Sequence, residues 1–370
     1  MNIAPTLTQK KPVSLTVLAL VCGIACIGFI LLYSAAGDNF APWTHKQIIR
    51  FGVGLVLMVI IACVDLRLWL SQAYVLYGLS LSLLIGVEIM GRIGMGAQRW
   101  IDLYFFALQP SELMKITLLL ALARYFHTRT YKEIGEIKNL LFPALLIAVP
   151  AFLVLRQPDL GTMIILATAG ISIFFVAGMR TWKIITLLSG TVLSLPLFWM
   201  LLHDYQKRRI LTFLDPENDP LGAGYHILQS KIALGSGGFF GKGLGKGTQT
   251  HLNFLPEKQT DFIFPMLCEE LGIIAGLALI AAYCALMTYG FRVSFQSRSA
   301  FGRYLGIGLT TLLFVSVFIN IAMVMGLVPV VGVPLPLVSY GGTAMLTFTM
   351  GLGLLMSISV HRDLRFGRNR

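Results

Sequence analysis

Apolar runs of about twenty residues recur along the whole of this chain, separated mostly by short polar segments. A helix of that length crosses the roughly 30 Å hydrocarbon layer of a bilayer. Backbone amides in lipid meet no water, so each run must close its hydrogen bonds internally as a helix. The pattern predicts an all-α, polytopic integral membrane protein. About ten transmembrane helices are expected, near 13–35, 47–64, 73–90, 110–126, 139–155, 162–178, 183–202, 261–290, 304–327 and 342–360. Charged residues are 12% of the 370, about half the share in a soluble domain. One transmembrane domain over 1–370 is therefore expected, with no separate soluble domain of any size. The first run, Val13 to Tyr33, is longer than the core of a cleavable signal and reads as an anchor.

An even number of spans puts both termini on one side. Sixteen Lys and Arg flank spans on that side, including Arg67, Arg124, Arg180 and Arg298. Only five, Lys46, Arg50, Arg92, Arg99 and Arg156, lie in the short segments of the other side. The bias predicts that both termini are cytoplasmic. It also absorbs most of the net charge of +12, which argues against nucleic acid as a partner. All five cysteines lie inside apolar runs, where they act as small hydrophobes, so no disulfide framework is expected. The six histidines lack metal-ligand spacing, and no resident metal is expected.

One outer segment is long. Residues 203–260 form a 58-residue outer loop between spans seven and eight. It opens with an amphipathic stretch at 203–210, passes a strong turn signal at 215–220, and predicts a short helix over Tyr225 to Leu234. Seven glycines then lie between Gly235 and Gly247, interleaved with Lys242 and Lys246. They match no nucleotide-binding P-loop. The loop carries too many aromatic and aliphatic residues for simple disorder, and packing against membrane lipids is expected. The last outer loop, Val328 to Gly342, is apolar, yet Pro329, Pro334 and Pro336 forbid a regular helix. Irregular backbone near membrane depth persists only when buried in protein or lining a wet cavity.

Arg99, Glu112, Lys115, Asp159, Arg209, Asp261 and Ser339 all fall at outer span ends or in outer loops. Their convergence points to one site opening outward, where no ATP is at hand and a substrate must bring its own activation. Each has a plainer reading. Asp261, at the start of span eight, reads either as a helix cap or as a working carboxylate. Glu112 and Lys115 share a helix face, either as a self-neutralising pair or as a pair that orients a phosphate. Asp159 fits a turn and cap, and Arg99 a snorkelling interface arginine. Arg209, in the cluster Lys207-Arg208-Arg209, suits either a lipid headgroup or a substrate phosphate. Glu88, Glu269 and Glu270 lie within spans. Acids there are functional candidates by default, which keeps a transporter in view, although Glu269 and Glu270 also read as packing residues.

Several motifs in order carry a family resemblance. They are Leu255-Pro256-Glu257 with Thr260-Asp261-Phe262-Ile263-Phe264, and Pro334-Leu335-Pro336-Leu337-Val338-Ser339-Tyr340-Gly341-Gly342. Gln109-Pro110-Ser111-Glu112, Gln157-Pro158-Asp159-Leu160-Gly161-Thr162 and Asp219-Pro220-Leu221-Gly222-Ala223-Gly224-Tyr225 support them. Together they resemble the SEDS family (shape, elongation, division and sporulation), over nearly the whole chain. The run Val330-Val331-Gly332-Val333-Pro334 is closer to its elongation branch than to its division branch.

The resemblance implies a ten-helix peptidoglycan glycosyltransferase of the bacterial cytoplasmic membrane. Such enzymes polymerise lipid II, a disaccharide-pentapeptide on undecaprenyl pyrophosphate, at the outer face. They pair with a class B penicillin-binding protein, a transpeptidase. Asp261 matches the family's catalytic aspartate, and Glu112 and Lys115 match its fourth-helix pair. Arg209, Lys115 and Arg99 would face the departing pyrophosphate, with Asp159 and Ser339 also in the substrate site. No cofactor is implied beyond a divalent cation that could travel with the pyrophosphate. The chain departs from many relatives at Gln259, where His is common, and at Thr343, where Ser is common. The rival expectations are a lipid-linked precursor flippase or transporter, and a non-catalytic scaffold of the elongation machinery.

Overall fold

Among the described residues, a helix coincides with each of the ten apolar runs. The computed structural model describes residues 14–90, 92–94, 97–102, 107–193, 199–200, 207, 211–215, 223–252, 254–255, 257–364 and 367. The helices are α1 (Leu15–Ala35), α2 (Thr44–Cys63), α3 (Leu66–Met90), α4 (Pro110–Thr128), the short α5 (Tyr131–Ile134), α6 (Lys138–Arg156), α7 (Leu160–Ala177) and α8 (Thr181–Leu193). They continue with α9 (Ala223–Ser236), the short α10 (Thr248–His251), α11 (Ile263–Gln296), α12 (Ala300–Val324) and α13 (Gly342–Val360). Among the described residues, eight are long and apolar enough to cross a membrane. The protein is a multi-pass membrane protein. Of the other two predicted spans, α4 carries Glu112, Lys115 and Arg124, and α8 is described over only 13 residues.

Local chemistry sets the helix ends. Asp159 accepts the Thr162 amide at 3.1 Å and starts α7. Gly178, with φ 99°, stops it in the left-handed conformation. Ser299 accepts the Gly302 amide at 3.0 Å and starts α12. Span three begins at Leu66 rather than near 73, because Asp65 accepts the Arg67 amide at 2.8 Å.

α12 and α13 form the buried centre, with α4 against them. Small residues permit close approach, as in other membrane bundles. A Cβ on Gly54 of α2 would stand 2.6 Å from Thr349 Oγ1 of α13, and one on Gly353 would stand 2.8 Å from the Met58 carbonyl. Several hydroxyls inside spans return to their own helix, as Thr310 does to the Gly306 carbonyl at 2.7 Å.

Two outer features lie beyond the helical pattern. Residues 92–108 hold a three-stranded antiparallel sheet, β1 (Arg92–Gly94), β2 (Ala97–Asp102) and β3 (Ala107–Leu108). Span eight is broken: Gly272, at φ 82° and ψ 172°, separates Ile263–Leu271 from the long remainder of α11. The predicted amphipathic stretch at 203–210 and the turn at 215–220 lie outside the described residues, except Lys207 and Asp215. The helix predicted over 225–234 is α9, and Ser230 ties it to the Val324 carbonyl at 2.7 Å.

Only glycine suits the break. A Cβ at Gly272 would lie 2.2 Å from the Phe239 carbonyl, and its φ is unfavourable for any other residue. Gly272→Ala is expected to cost on the order of 3 kcal/mol, read as a lower unfolding temperature in detergent micelles.

Candidate functional site

Asp261 belongs to a turn over residues 257–262, on the outer side of the bundle. Phe262, not Asp261, occupies the N-cap of α11, so the carboxylate is one residue outside the helix. It is half-buried. Its Oδ2 lies over Gly332, where a Cβ would be 3.5 Å away.

The last outer loop holds this turn in place. Ser339 Oγ donates to the Thr260 carbonyl at 2.5 Å and accepts the Leu335 amide at 2.8 Å. The Tyr340 amide donates to the Gln259 carbonyl at 2.8 Å. Asn320, buried in α12, spans both segments. Its Nδ2 donates to the Asp261 carbonyl at 3.1 Å and to the Val333 carbonyl at 2.7 Å. Gln47 of α2 donates to the Ser339 carbonyl at 2.9 Å, and Tyr283 donates to the Pro336 carbonyl. Glu257 shapes the turn from within: it accepts Thr260 Oγ1 at 3.1 Å and Gln259 Nε2 at 3.2 Å.

Glu112 and Lys115 pair at 2.7 Å in the first turns of α4, both almost fully buried. Pro110 starts this helix at a position where its missing amide costs nothing. Lys115 Nζ also lies 5.6 Å from the centre of the Phe348 ring of α13. Glu112 Oε2 has no hydrogen-bond partner among the described residues. A buried carboxylate oxygen in that state can receive a donor from a substrate.

Arg99 and Asp159 meet at the turn between α6 and α7. Arg99 Nε donates to the Gln157 carbonyl at 2.9 Å and its Nη2 to the Pro158 carbonyl at 2.5 Å. Its Nη1 lies 3.8 Å from Asp159 Oδ2. This turn abuts the last outer loop, since a Cβ on Gly161 would stand 2.7 Å from Val333 Cγ2 and 3.0 Å from the Val331 carbonyl. A continuous path of contacts thus runs from Arg99 through Asp159 to Gly332 and Asp261. Arg209 lies outside the described residues.

Sequence reasoning passed over Gln47, Tyr283 and Asn320. The available signal was an amide or phenol inside an otherwise apolar span, which must find a partner within the protein.

The same features belong to a known family. The family model for the cell cycle proteins FtsW, RodA and SpoVE matches residues 14–364. The chain belongs to this family. It is 43% identical over 361 residues to the peptidoglycan glycosyltransferase MrdB of Escherichia coli K12, covering 97% of this chain and 96% of the relative. It is 35% identical to stage V sporulation protein E of Bacillus subtilis, covering 95% of this chain and 98% of the relative. Among solved structures, it is similar to a chain of a peptidoglycan synthase complex that coordinates polymerization and crosslinking. That match has a TM-score of 0.83 and 31% identity, over 95% of this chain and 98% of the other. The crystal structure of rod shape determining protein RodA of Thermus thermophilus gives a TM-score of 0.72 and 28% identity, over 95% and 98%. As a member of this family, it is a multi-pass protein of the bacterial inner membrane.

The Glu112–Lys115 pair makes a specific prediction. Lys115→Met leaves a buried carboxylate without its cation and should destabilise the protein by about 3–5 kcal/mol. Glu112→Gln in the same chain should recover much of that loss. Unfolding temperatures of the purified variants in detergent measure both effects.

Proposed function

We propose that this protein is a peptidoglycan glycosyltransferase of cell elongation that polymerises lipid II at the outer face of the membrane, with Asp261 as general base. The observation that carries the reading is a half-buried carboxylate outside its helix, held between two outer loops whose backbone groups are bonded within the protein. The 43% identity to a peptidoglycan glycosyltransferase over nearly the whole chain supports the reaction class.

The chemistry follows from the substrate. The acceptor's GlcNAc 4-hydroxyl attacks the anomeric carbon of the donor's MurNAc. The new glycosidic C–O bond forms as the bond to pyrophosphate breaks. Asp261 takes the hydroxyl proton, and undecaprenyl pyrophosphate leaves with the bonding electron pair. An α-linked donor gives a β-linked product, so a single inverting displacement needs one base. Lys115 and Arg209 supply positive charge toward the pyrophosphate. Arg99 acts through the α6–α7 turn, because both of its strong hydrogen bonds go to that backbone. A divalent cation would enter with the pyrophosphate. Among the described residues, no group of three or more His, Cys, Asp or Glu side chains comes together to hold one. The protein works beside a class B penicillin-binding protein that crosslinks the strand. The similarity to a subunit of a peptidoglycan synthase complex supports this pairing.

A transporter would use an acid deep in the membrane. Glu269, the best such candidate, instead has its carboxylate bonded to Lys242, Thr248, Gln249 and Thr250 of the outer loop. The purified protein with fluorescent lipid II should yield glycan ladders. Asp261→Asn should lower that yield by at least about 10²–10⁴-fold while the protein stays folded. Near-normal ladders from this variant would remove Asp261 from the mechanism.

A further inference from the structure

The glycine-rich outer loop meets α11 where that helix is broken. The break leaves orphan carbonyls at the end of Ile263–Leu271 and orphan amides at the start of the following segment. The loop pairs with both sets. Its Lys242 and Gly243 amides donate to the Glu269 and Glu270 carbonyls at 3.0 and 2.9 Å. Its Gly238 and Phe239 carbonyls accept the Ile273 and Ile274 amides at 3.0 and 3.4 Å. Such contact requires bare backbone. A Cβ on Gly237 would lie 1.9 Å from the Cys268 carbonyl, and one on Gly241 would lie 2.2 Å from the Glu270 carbonyl.

Two buried acids complete the junction. Glu269, with no exposed surface, accepts Lys242 Nζ at 2.8 Å, the Gln249 amide at 3.0 Å, Thr250 Oγ1 at 3.1 Å and Thr248 Oγ1 at 3.2 Å. Every one of these donors comes from the same loop. Glu270 accepts Ser34 Oγ of α1 at 2.7 Å, and that oxygen accepts the Gly245 amide at 3.2 Å. Lys258, three residues before Asp261, donates to the Thr250 carbonyl at 2.9 Å. Burial pulls its amine below the usual lysine value, with the Glu270 charge opposing.

The short helix Ile263–Leu271 is therefore held at both ends. The Ser339 and Asn320 contacts hold its N-terminal side, where Asp261 stands. The glycine-rich loop holds its C-terminal side, about 12 Å away at 1.5 Å per residue. Without the second hold, the segment could pivot at Gly272 and carry Asp261 off its line of attack.

We propose that the loop from Gly235 to Thr250 is a clamp on this helix, and that Glu269, joined to Lys242, is a positioning residue for Asp261. Its activity arm rests on the polymerase reading, whereas its structural arm does not. A misplacement of about 1 Å can cost about 10²-fold in rate. The test uses the purified full-length protein with fluorescent lipid II. Glu269→Gln and Lys242→Met should each lower kcat by about that factor, with KM unchanged. The double variant should fall no further than either single one. Lys242→Arg, which keeps the charge, should recover most of the turnover. Hydrogen–deuterium exchange without substrate should rise across residues 257–271 in both single variants. The Lys242 side chain is about a quarter exposed, at 27%, so its replacement carries the test if Glu269→Gln fails to fold. Wild-type turnover in Lys242→Met, losses that multiply in the double variant, or unchanged exchange across 257–271 would each overturn the clamp. The exchange result keeps its meaning even if Asp261→Asn still polymerises.

Discussion

Irregular backbone at the outer edge of a membrane must have its hydrogen bonds satisfied by the protein itself. The region around Asp261 depends on that condition. The loop 328–341 is apolar, broken by three prolines and pressed onto the bundle. Side chains from distant helices pair with its backbone: Gln47 from α2, Tyr283 from α11 and Asn320 from α12. Ser339 and Tyr340 then pass that fixed geometry to the turn carrying Asp261.

The same condition explains the glycine-rich loop. A helix broken at Gly272 leaves amides and carbonyls without helical partners. A second backbone supplies the missing partners, and it approaches closely enough only because it lacks Cβ atoms at Gly237 and Gly241. Both flanking loops thus do for the short helix Ile263–Leu271 what a continuous helix would have done for itself. The outcome is a carboxylate outside regular structure with defined surroundings, which is what proton abstraction requires.

Charge placement is consistent with the rest. Three ion pairs lie on the outer side: Glu112 with Lys115 within α4, and Arg99 with Asp159 and Glu269 with Lys242 between segments. Removing one partner of a buried pair is costly, so the Glu269–Lys242 pair ties α11 to the glycine-rich loop. An outer site built from α2, α4, α7, α11, α12, α13 and their loops can keep one geometry although its parts are far apart in sequence.

The sequence by itself determined the multi-pass membrane class and where its apolar helices lie, and predicted an outward-facing set of polar residues, because apolar length and Lys/Arg bias are one-dimensional signals. Motif order supplied the family and singled out Asp261. Only the tertiary structure decided that Asp261 lies outside its helix, since Phe262 takes the N-cap. It alone paired Glu269 with Lys242 across 27 positions and Asn320 with the turn 59 positions away. The sheet at 92–108 also appeared only there. These features rest on partners that neither spacing nor periodicity can nominate. A buried polar group states that it needs a partner, and only the packed fold says which one answers.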